Sequence, residues 1–207
     1  MRALLAALLV LLLPVTAAAA PSGRVIVTLG DSLTAGFGVA PDEAFPALIA
    51  ERLRREGYDY QVVNAGVSGD TSAGGLRRVD WVLRARPEIV IVALGANDGL
   101  RGQSVSAMRG NLEQIVRRLQ AAGARVLLAG MLMPPNYGET FTREFSAAYR
   151  DVARRTGVPL VPFLLDGVAA DPALNLADGI HPNARGHRVI AERMWPHLRP
   201  LLIRRAG

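Results

Sequence analysis

A serine at position 32 stands where a nucleophile could act. It belongs to the run Gly30-Asp31-Ser32-Leu33, which directly follows the apolar residues 25–29, a pattern typical of a buried strand. Open α/β sheets bind their ligands beyond the carboxyl ends of the strands. Position alone explains Ser32 equally well as a residue that caps a helix, so its interpretation depends on what the rest of the chain supplies.

A candidate base for this serine lies in the run Asp178-Gly179-Ile180-His181. A histidine that takes a proton from serine needs an acceptor for its other ring N–H. An aspartate three residues away, on a turn stiffened by Pro182, can be that acceptor. The other two histidines, His187 and His197, have no such partner nearby in the sequence. The spacing of residues 181 and 187 matches no common metal site, so we expect no metal.

Two loops of small residues could supply hydrogen-bond donors. They are residues 64–70, which include Gly69, and the run Gly95-Ala96-Asn97-Asp98-Gly99, and each follows an apolar run. A tetrahedral oxyanion needs donors already aimed at it, and losing one costs about 3–4 kcal/mol in the transition state. Glycine N–H groups and asparagine amides are suitable donors. Taken alone, each loop is better explained as a glycine-rich turn; the full set of parts favours the catalytic interpretation.

Strand and helix patterns alternate along the chain, which predicts a parallel sheet with helices on both faces. No linker interrupts them, so residues 21–207 are predicted to form one domain. Residues 163–182 show no regular pattern, and long segments of this kind are usually functional. The predicted strands are 24–29, 60–64, 88–94, 125–130 and 158–162, and the predicted helices are 42–56, 71–84, 104–122, 139–156 and 183–202, the last broken by Pro196.

The first twenty residues are typical of a secretory signal peptide. Arg2 precedes an apolar stretch at 3–15, and four alanines at 17–20 precede Pro21. We expect cleavage near residues 18–21 and a periplasmic or secreted protein. An uncleaved membrane anchor stays open, because the alanines extend the apolar stretch toward the roughly 17–25 residues that span a bilayer. The chain has no cysteine, which excludes a lipid-modified N-terminal cysteine and thiolate chemistry.

The chain carries a net charge of +6, and all 24 of its basic residues are arginine. Such a balance can indicate a nucleic-acid partner. The arginines are scattered, however, with pairs such as Arg77 and Arg78 or Arg117 and Arg118 inside predicted helices. We therefore expect them on solvated helix faces, and we expect no nucleic acid.

The four blocks around Ser32, Gly69, Asn97 and His181 resemble, in order, the signature blocks of the SGNH (GDSL) hydrolases. The resemblance covers essentially the whole chain after the leader. It implies a three-layer α/β/α flavodoxin-like fold with a five-stranded parallel sheet. It also implies Ser32 as nucleophile, His181 as base and Asp178 as its orienting acid. The implied oxyanion hole consists of the Ser32 and Gly69 N–H groups and the Asn97 amide.

Longer matches at 64–72 and 95–102 resemble a bacterial periplasmic branch of that family with thioesterase, lysophospholipase and arylesterase activity. This implies hydrolysis of carboxylic esters and thioesters through an acyl-enzyme, without a cofactor. We expect a monomer that acts on small acyl substrates and contacts membrane-derived lipids. A carbohydrate acetylesterase on the same fold and a non-catalytic ligand-binding module stay open. A nucleotide-binding protein would need a phosphate-binding glycine motif that is missing after the first strand.

Four apolar residues are candidates for an acyl-binding groove: Leu100, Met133, Pro134 and Tyr137. Leu100 lies next to the candidate donor Asn97, and the others follow the fourth predicted strand. Methionine adapts well to flexible chains. We expect the glycine-flanked loop around Leu100 to move over an acyl chain, although these residues are explained nearly as well as ordinary caps of the core.

Overall fold

Five parallel strands form the central sheet, in the order β2-β1-β3-β4-β5. The order matches flavodoxin-like proteins, in which the chain reverses direction across the sheet beside β1. Every residue of β3 is buried, as expected for a parallel strand covered on both faces. The computed structural model describes residues 24–204, and the predicted signal peptide at 1–20 lies outside them. The strands are β1 (Arg24–Gly30), β2 (Tyr60–Gly66), β3 (Ile89–Ala93), β4 (Arg125–Ala129) and β5 (Leu160–Val161).

Helices cover both faces of this sheet. On one face α2 packs against α8, and on the other α6 packs against α3 and α7. The predicted three-layer α/β/α fold with a five-stranded parallel sheet is therefore confirmed. The helices are α1 (Ser32–Ala35), α2 (Phe45–Arg55), α3 (Ser72–Arg77), α4 (Val79–Leu83), α5 (Ala96–Leu100), α6 (Val105–Ala121), α7 (Glu139–Thr156) and α8 (Ala184–Leu198), with 3-10 turns at Pro135–Tyr137 and Arg199–Leu201.

Side-chain caps fix where several of these helices begin. The Thr71 hydroxyl accepts a hydrogen bond from the Gly74 N–H at 3.2 Å and starts α3. Asn183 accepts from two amides of the first turn of α8. Such caps satisfy amides that have no partner inside the helix. They place the start of α3 just after the loop that contains Gly69.

The structure corrects three predicted elements. The helix predicted at 71–84 is two helices that meet at Arg78. The strand predicted at 158–162 is only Leu160–Val161, because the flanking prolines, 159 and 162, have no N–H to donate to a sheet. Pro196 does not break the last helix, which continues to residue 198. Its missing N–H removes only one hydrogen bond near the helix end.

The segment 163–182 is irregular, as predicted. A single antiparallel bridge between Asn175 and Pro182 ties its end together. Within residues 24–204, no helix is long and apolar enough to cross a membrane.

Candidate active site

Ser32 is the first residue of α1, directly beyond the end of β1. The cap of this helix is Asp31, whose Oδ1 accepts a hydrogen bond from the Leu33 N–H at 3.0 Å. The alternative that Ser32 is itself a helix cap is therefore wrong. Being at the first position, the Ser32 N–H has no acceptor inside the helix.

Glycines at the ends of β1 and β2 allow α1 to sit against the sheet. A Cβ on Gly30 would lie 1.9 Å from Thr34 Oγ1 and 2.9 Å from the Ala93 carbonyl oxygen. A Cβ on Gly66 would lie 2.2 Å from the Ala35 nitrogen. All three distances are below van der Waals contact, so no larger residue fits at either strand end. The position of Ser32 is thus set by backbone packing.

A hydrogen-bonded chain joins Ser32, His181 and Asp178. The Ser32 Oγ lies 3.0 Å from His181 Nε2, and His181 Nδ1 lies 2.7 Å from Asp178 Oδ2. Residues separated by about 150 positions in the sequence thus meet at one point. A base within reach of a hydroxyl, itself oriented by a carboxylate, is the geometry that nucleophilic catalysis by serine requires.

The turn that carries Asp178 and His181 is braced from within. Asp178 Oδ1 accepts hydrogen bonds from the N–H groups of Ile180 and His181, each at 3.0 Å. The Leu176 N–H donates to the His181 carbonyl at 2.7 Å. The two backbone hydrogen bonds, together with that from the His181 ring, lower the pKa of Asp178 to about 2. Asp178 is therefore ionised at neutral pH, as an acceptor for the ring N–H must be.

Asn97 lies in the first turn of α5, where a loop was predicted. That prediction is wrong because the segment is rich in poor helix formers but is held by tertiary contacts. Buried Asp98, in the same helix, accepts a hydrogen bond from the Ser72 N–H at 2.8 Å and a second from the Ser72 hydroxyl. This pairing ties α5 to the start of α3.

The Asn97 amide reaches the loop that contains Gly69. Its Nδ2 donates to the Asp70 carbonyl at 3.0 Å and lies 3.5 Å from Asp31 Oδ2, which is too long for a strong hydrogen bond. The turn at 67–70 is closed by the Asp70 N–H, which donates to the Val67 carbonyl at 3.0 Å. The Gly69 N–H takes no part in that closure and remains available as a donor.

Arg78 holds the same region together, a role that the sequence pattern did not indicate. Its guanidinium donates to Asp70 Oδ2 at 2.7 Å, to the Ala65 carbonyl at 2.6 Å and to the Gly30 carbonyl at 2.8 Å. These groups end β1 and β2 and flank the Gly69 loop. The expectation that this arginine lies on a solvated helix face is therefore wrong.

An apolar cavity of about 430 Å³ opens beside Ser32, Asn97 and His181. Leu100, Met133 and Pro134 line it, as do other apolar side chains: Met131, Leu132, Phe163, Leu165 and Ile180. Tyr137 is not among its lining residues, and its hydroxyl donates to the Leu100 carbonyl at 3.3 Å. The volume lies in the range of small-molecule sites.

Asp31 is buried beside Ser32, and no ion pair with an arginine is seen for it among the described residues. Removal from water raises its pKa to about 6, although the hydrogen bond from the Leu33 N–H acts in the opposite direction. Burial therefore disfavours the ionised form of this carboxylate. Within residues 24–204, no group of three or more His, Cys, Asp and Glu side chains could hold a metal ion.

His187 lies in the core, where the sequence suggested no role. Its Nδ1 accepts a hydrogen bond from the Phe45 N–H at 3.3 Å, and its ring stacks on that of Phe45. Burial lowers its pKa from 6.5 to about 4, because the imidazolium would lose its hydration. The neutral ring is thus part of the packing between α2 and α8.

Replacing His187 with asparagine should change how stability depends on pH. The unfolded chain binds a proton below pH 6.5 and the folded chain only below about 4, so protonation favours unfolding between these values. Relative to His187→Asn, the wild type should lose up to about 3 kcal/mol of unfolding free energy as the pH falls through that window. Urea unfolding of both proteins at pH 4, 5, 6 and 7.5 measures this, and parallel curves would contradict it.

Comparisons with known proteins agree with this arrangement. The model of the GDSL-like Lipase/Acylhydrolase family matches residues 28–189. Esterase TesA of Pseudomonas aeruginosa is 43% identical over 203 residues, which cover 98% of this chain and 100% of that protein. Thioesterase 1/protease 1/lysophospholipase L1 of Escherichia coli K12 is 40% identical over 196 residues, which cover 94% of this chain and 91% of that protein.

A crystal structure of TesA has the same fold. It superimposes with a TM-score of 0.85 at 43% sequence identity, and the match covers 86% of this chain and 100% of that chain. The family match spans most of the sequence and includes the segments that carry Ser32, Gly69, Asn97 and His181. The chain therefore belongs to the GDSL-like lipase/acylhydrolase family and is an SGNH-type serine hydrolase.

Proposed function

We propose that the protein hydrolyses carboxylic esters and thioesters of fatty acids through an acyl-enzyme on Ser32. The observation that carries this proposal is the hydrogen-bonded chain from Asp178 through His181 to Ser32, which opens onto an apolar cavity. The two relatives described above are named as an esterase and as a thioesterase and lysophospholipase. Their names support hydrolysis of the same types of bond by this protein.

Acylation begins when neutral His181 Nε2 takes the Ser32 hydroxyl proton as Oγ bonds to the carbonyl carbon. The resulting tetrahedral intermediate collapses, the bond from carbon to the leaving oxygen or sulfur breaks, and Nε2 returns the proton to that atom. Water then repeats the sequence on the acyl-enzyme and releases the acid and free Ser32. Ionised Asp178 accepts from Nδ1–H throughout and stabilises the imidazolium.

The oxyanion of this intermediate would accept hydrogen bonds from the Ser32 N–H, the Gly69 N–H and the Asn97 amide. Arg78, Asp98 and the Asn97 amide itself connect the segments that bear these donors. Donors held in this way need not reorganise when charge develops, which is why they lower the barrier.

The acyl chain would enter the cavity lined by Leu100, Met133 and Pro134. An acetyl group would gain little binding free energy in an apolar cavity of this size, and each added methylene of the acyl chain would gain more. This favours hydrolysis of esters with longer acyl chains over the carbohydrate acetylesterase alternative. We also propose that the enzyme acts as a monomer on small acyl substrates, some of them derived from membrane lipids.

A panel of p-nitrophenyl esters and acyl-CoA thioesters, from acetyl to palmitoyl, tests this function. We expect kcat/KM to rise from acetyl to medium chains in both series. Activity confined to acetyl esters would favour the acetylesterase. Failure of a fluorophosphonate to label Ser32, together with an inert panel, would favour a non-catalytic binding module.

Shortening Leu100 should alter the chain-length profile. Leu100 lines the cavity and is 41% exposed, so the alanine variant keeps α5 while removing apolar contact with a bound chain. We expect Leu100→Ala to lower kcat/KM for octanoyl esters about three- to tenfold and to leave acetyl esters nearly unchanged. The ratio of the two rates, measured with p-nitrophenyl esters, checks this. An unchanged ratio would remove Leu100 from the acyl site.

The leader suggests export. We propose that residues 1–20 are a signal peptide and that residues 21–207 form the mature hydrolase domain in the periplasm or outside the cell. Mass spectrometry of the protein from the periplasmic fraction of an expressing bacterium should find a chain that starts near residues 18–21. An intact first residue in a membrane fraction would instead indicate an anchor.

A further inference from the structure

One of the four groups on the tetrahedral intermediate, the leaving group, has no binding site assigned to it. The carbon of this intermediate carries four groups: Ser32 Oγ, the oxyanion, the acyl chain and the leaving group. The proposed function, on which this inference rests, assigns the first three to the serine, the donor set and the apolar cavity. The leaving group must point elsewhere, and it must pass His181 Nε2 to collect its proton.

The side chain beside His181 and outside that cavity is Phe37. The two ring centroids are 4.6 Å apart with planes inclined at 41°, and Phe37 is not among the residues that line the acyl cavity. Phe37 is 49% exposed, so its ring is open to solvent on the side away from His181 and the backbone. A leaving group that departs past the imidazole of His181 would therefore cover the exposed face of the Phe37 ring.

The backbone holds Phe37 in this place. Its N–H donates to the Ser32 carbonyl at 3.1 Å, so it is tied directly to the nucleophile. The next residue, Gly38, has a φ of +78°, and a Cβ there would lie 2.4 Å from Leu176 Cδ1. The Leu176 N–H in turn donates to the His181 carbonyl at 2.7 Å. Phe37 is thus hydrogen-bonded to Ser32, and the next residue lies beside Leu176, which is hydrogen-bonded to His181.

We propose that Phe37 forms a leaving-group subsite that favours esters of aromatic alcohols. An aromatic ring gains from an offset or tilted contact with a second ring, and it also covers apolar surface that is otherwise exposed to water. An aliphatic leaving group gains only part of this. Phe37 therefore selects for the alcohol, whereas the cavity around Leu100 and Met133 selects for the acid.

The test compares two butyrate esters whose alcohols are similarly acidic: phenyl butyrate and a fluoroalkyl butyrate. Matching the acidity makes the chemical step alike, so the ratio of the two kcat/KM values reports contact with the leaving group. We expect Phe37→Ala to lower kcat/KM for the phenyl ester roughly tenfold and that for the fluoroalkyl ester less than twofold. The ratio of the two kcat/KM values for Phe37→Leu should lie between those of the wild type and Phe37→Ala. The ratio for Phe37→Tyr should equal that of the wild type.

Leu132→Ala is the matched control, because Leu132 is also an exposed apolar residue, at 45%, but lines the acyl cavity. It should shift the acyl chain-length profile and keep the phenyl-to-fluoroalkyl ratio of the wild type. Equal losses for both esters in Phe37→Ala would mean that Phe37 only supports His181, and no loss would mean no contact; either result overturns the subsite. A wild type that hydrolyses neither ester and resists a fluorophosphonate would instead overturn the proposed function.

Discussion

Ser32→Ala is expected to lower kcat/KM for p-nitrophenyl butyrate at least about a thousandfold. The variant loses the atom that would bond to the substrate carbonyl, and within residues 24–204 Ser32 supplies the hydroxyl that lies 3.0 Å from His181 Nε2. The donors and the cavity remain, so slow hydrolysis by water should persist. Steady-state kinetics with a sensitive chromogenic ester measures the loss.

The fold should survive this substitution, because Ser32 is placed by backbone packing at Gly30 and Gly66 and not by its hydroxyl. The matched control is Ser106→Ala, which replaces an exposed serine of α6 and should keep full activity. A Ser32→Ala protein that is folded and retains more than about a thousandth of the wild-type rate would contradict the assignment of the nucleophile.

Asn97→Ala should lower kcat/KM about 100- to 1000-fold. The side-chain amide is expected to donate mainly to the oxyanion of the intermediate, so kcat should fall much more than KM rises. Asn136→Ala, in the exposed 3-10 turn after β4, is the matched control and should change neither constant appreciably.

A second measurement separates this role from a structural one, because Asn97 also donates to the Asp70 carbonyl. A trifluoromethyl ketone forms a reversible tetrahedral adduct with serine hydrolases. If Asn97 stabilises the oxyanion, the inhibition constant should rise by about the same factor as kcat/KM falls. Unchanged inhibition alongside slower turnover would contradict a place for Asn97 in the oxyanion hole.

The sequence was sufficient for the sheet because each strand is a short apolar run between turn signals. It was also sufficient to nominate Ser32, which follows a strand end, and Asp178 with His181, which are three residues apart on one turn of the long irregular segment. The bounds of the helices and strands were less predictable where tertiary contacts override the conformational preference of the local residues. The residues of α5 form a helix despite their composition, because Asp98 is paired with Ser72.

Residues that act through long-range contacts left no pattern to detect. Arg78 resembles any other arginine of a helix until its guanidinium is seen on the carbonyls of Gly30 and Ala65. Phe37 and His187 are similar cases: their surroundings come from segments more than 100 residues away. Pairings of this kind depend on the packed fold, which is why composition and spacing could not supply them.

The tight fit at Gly30 and Gly66 has a consequence for how this enzyme could change over evolution or in the laboratory. The residues that place the nucleophile tolerate almost no variation, since any added carbon collides with backbone or side-chain atoms of α1. The walls that would contact substrate carry exposed side chains, among them Phe37, Leu100 and Leu132. Mutational libraries aimed at new substrates should therefore concentrate on the walls, where most variants will remain folded and able to react.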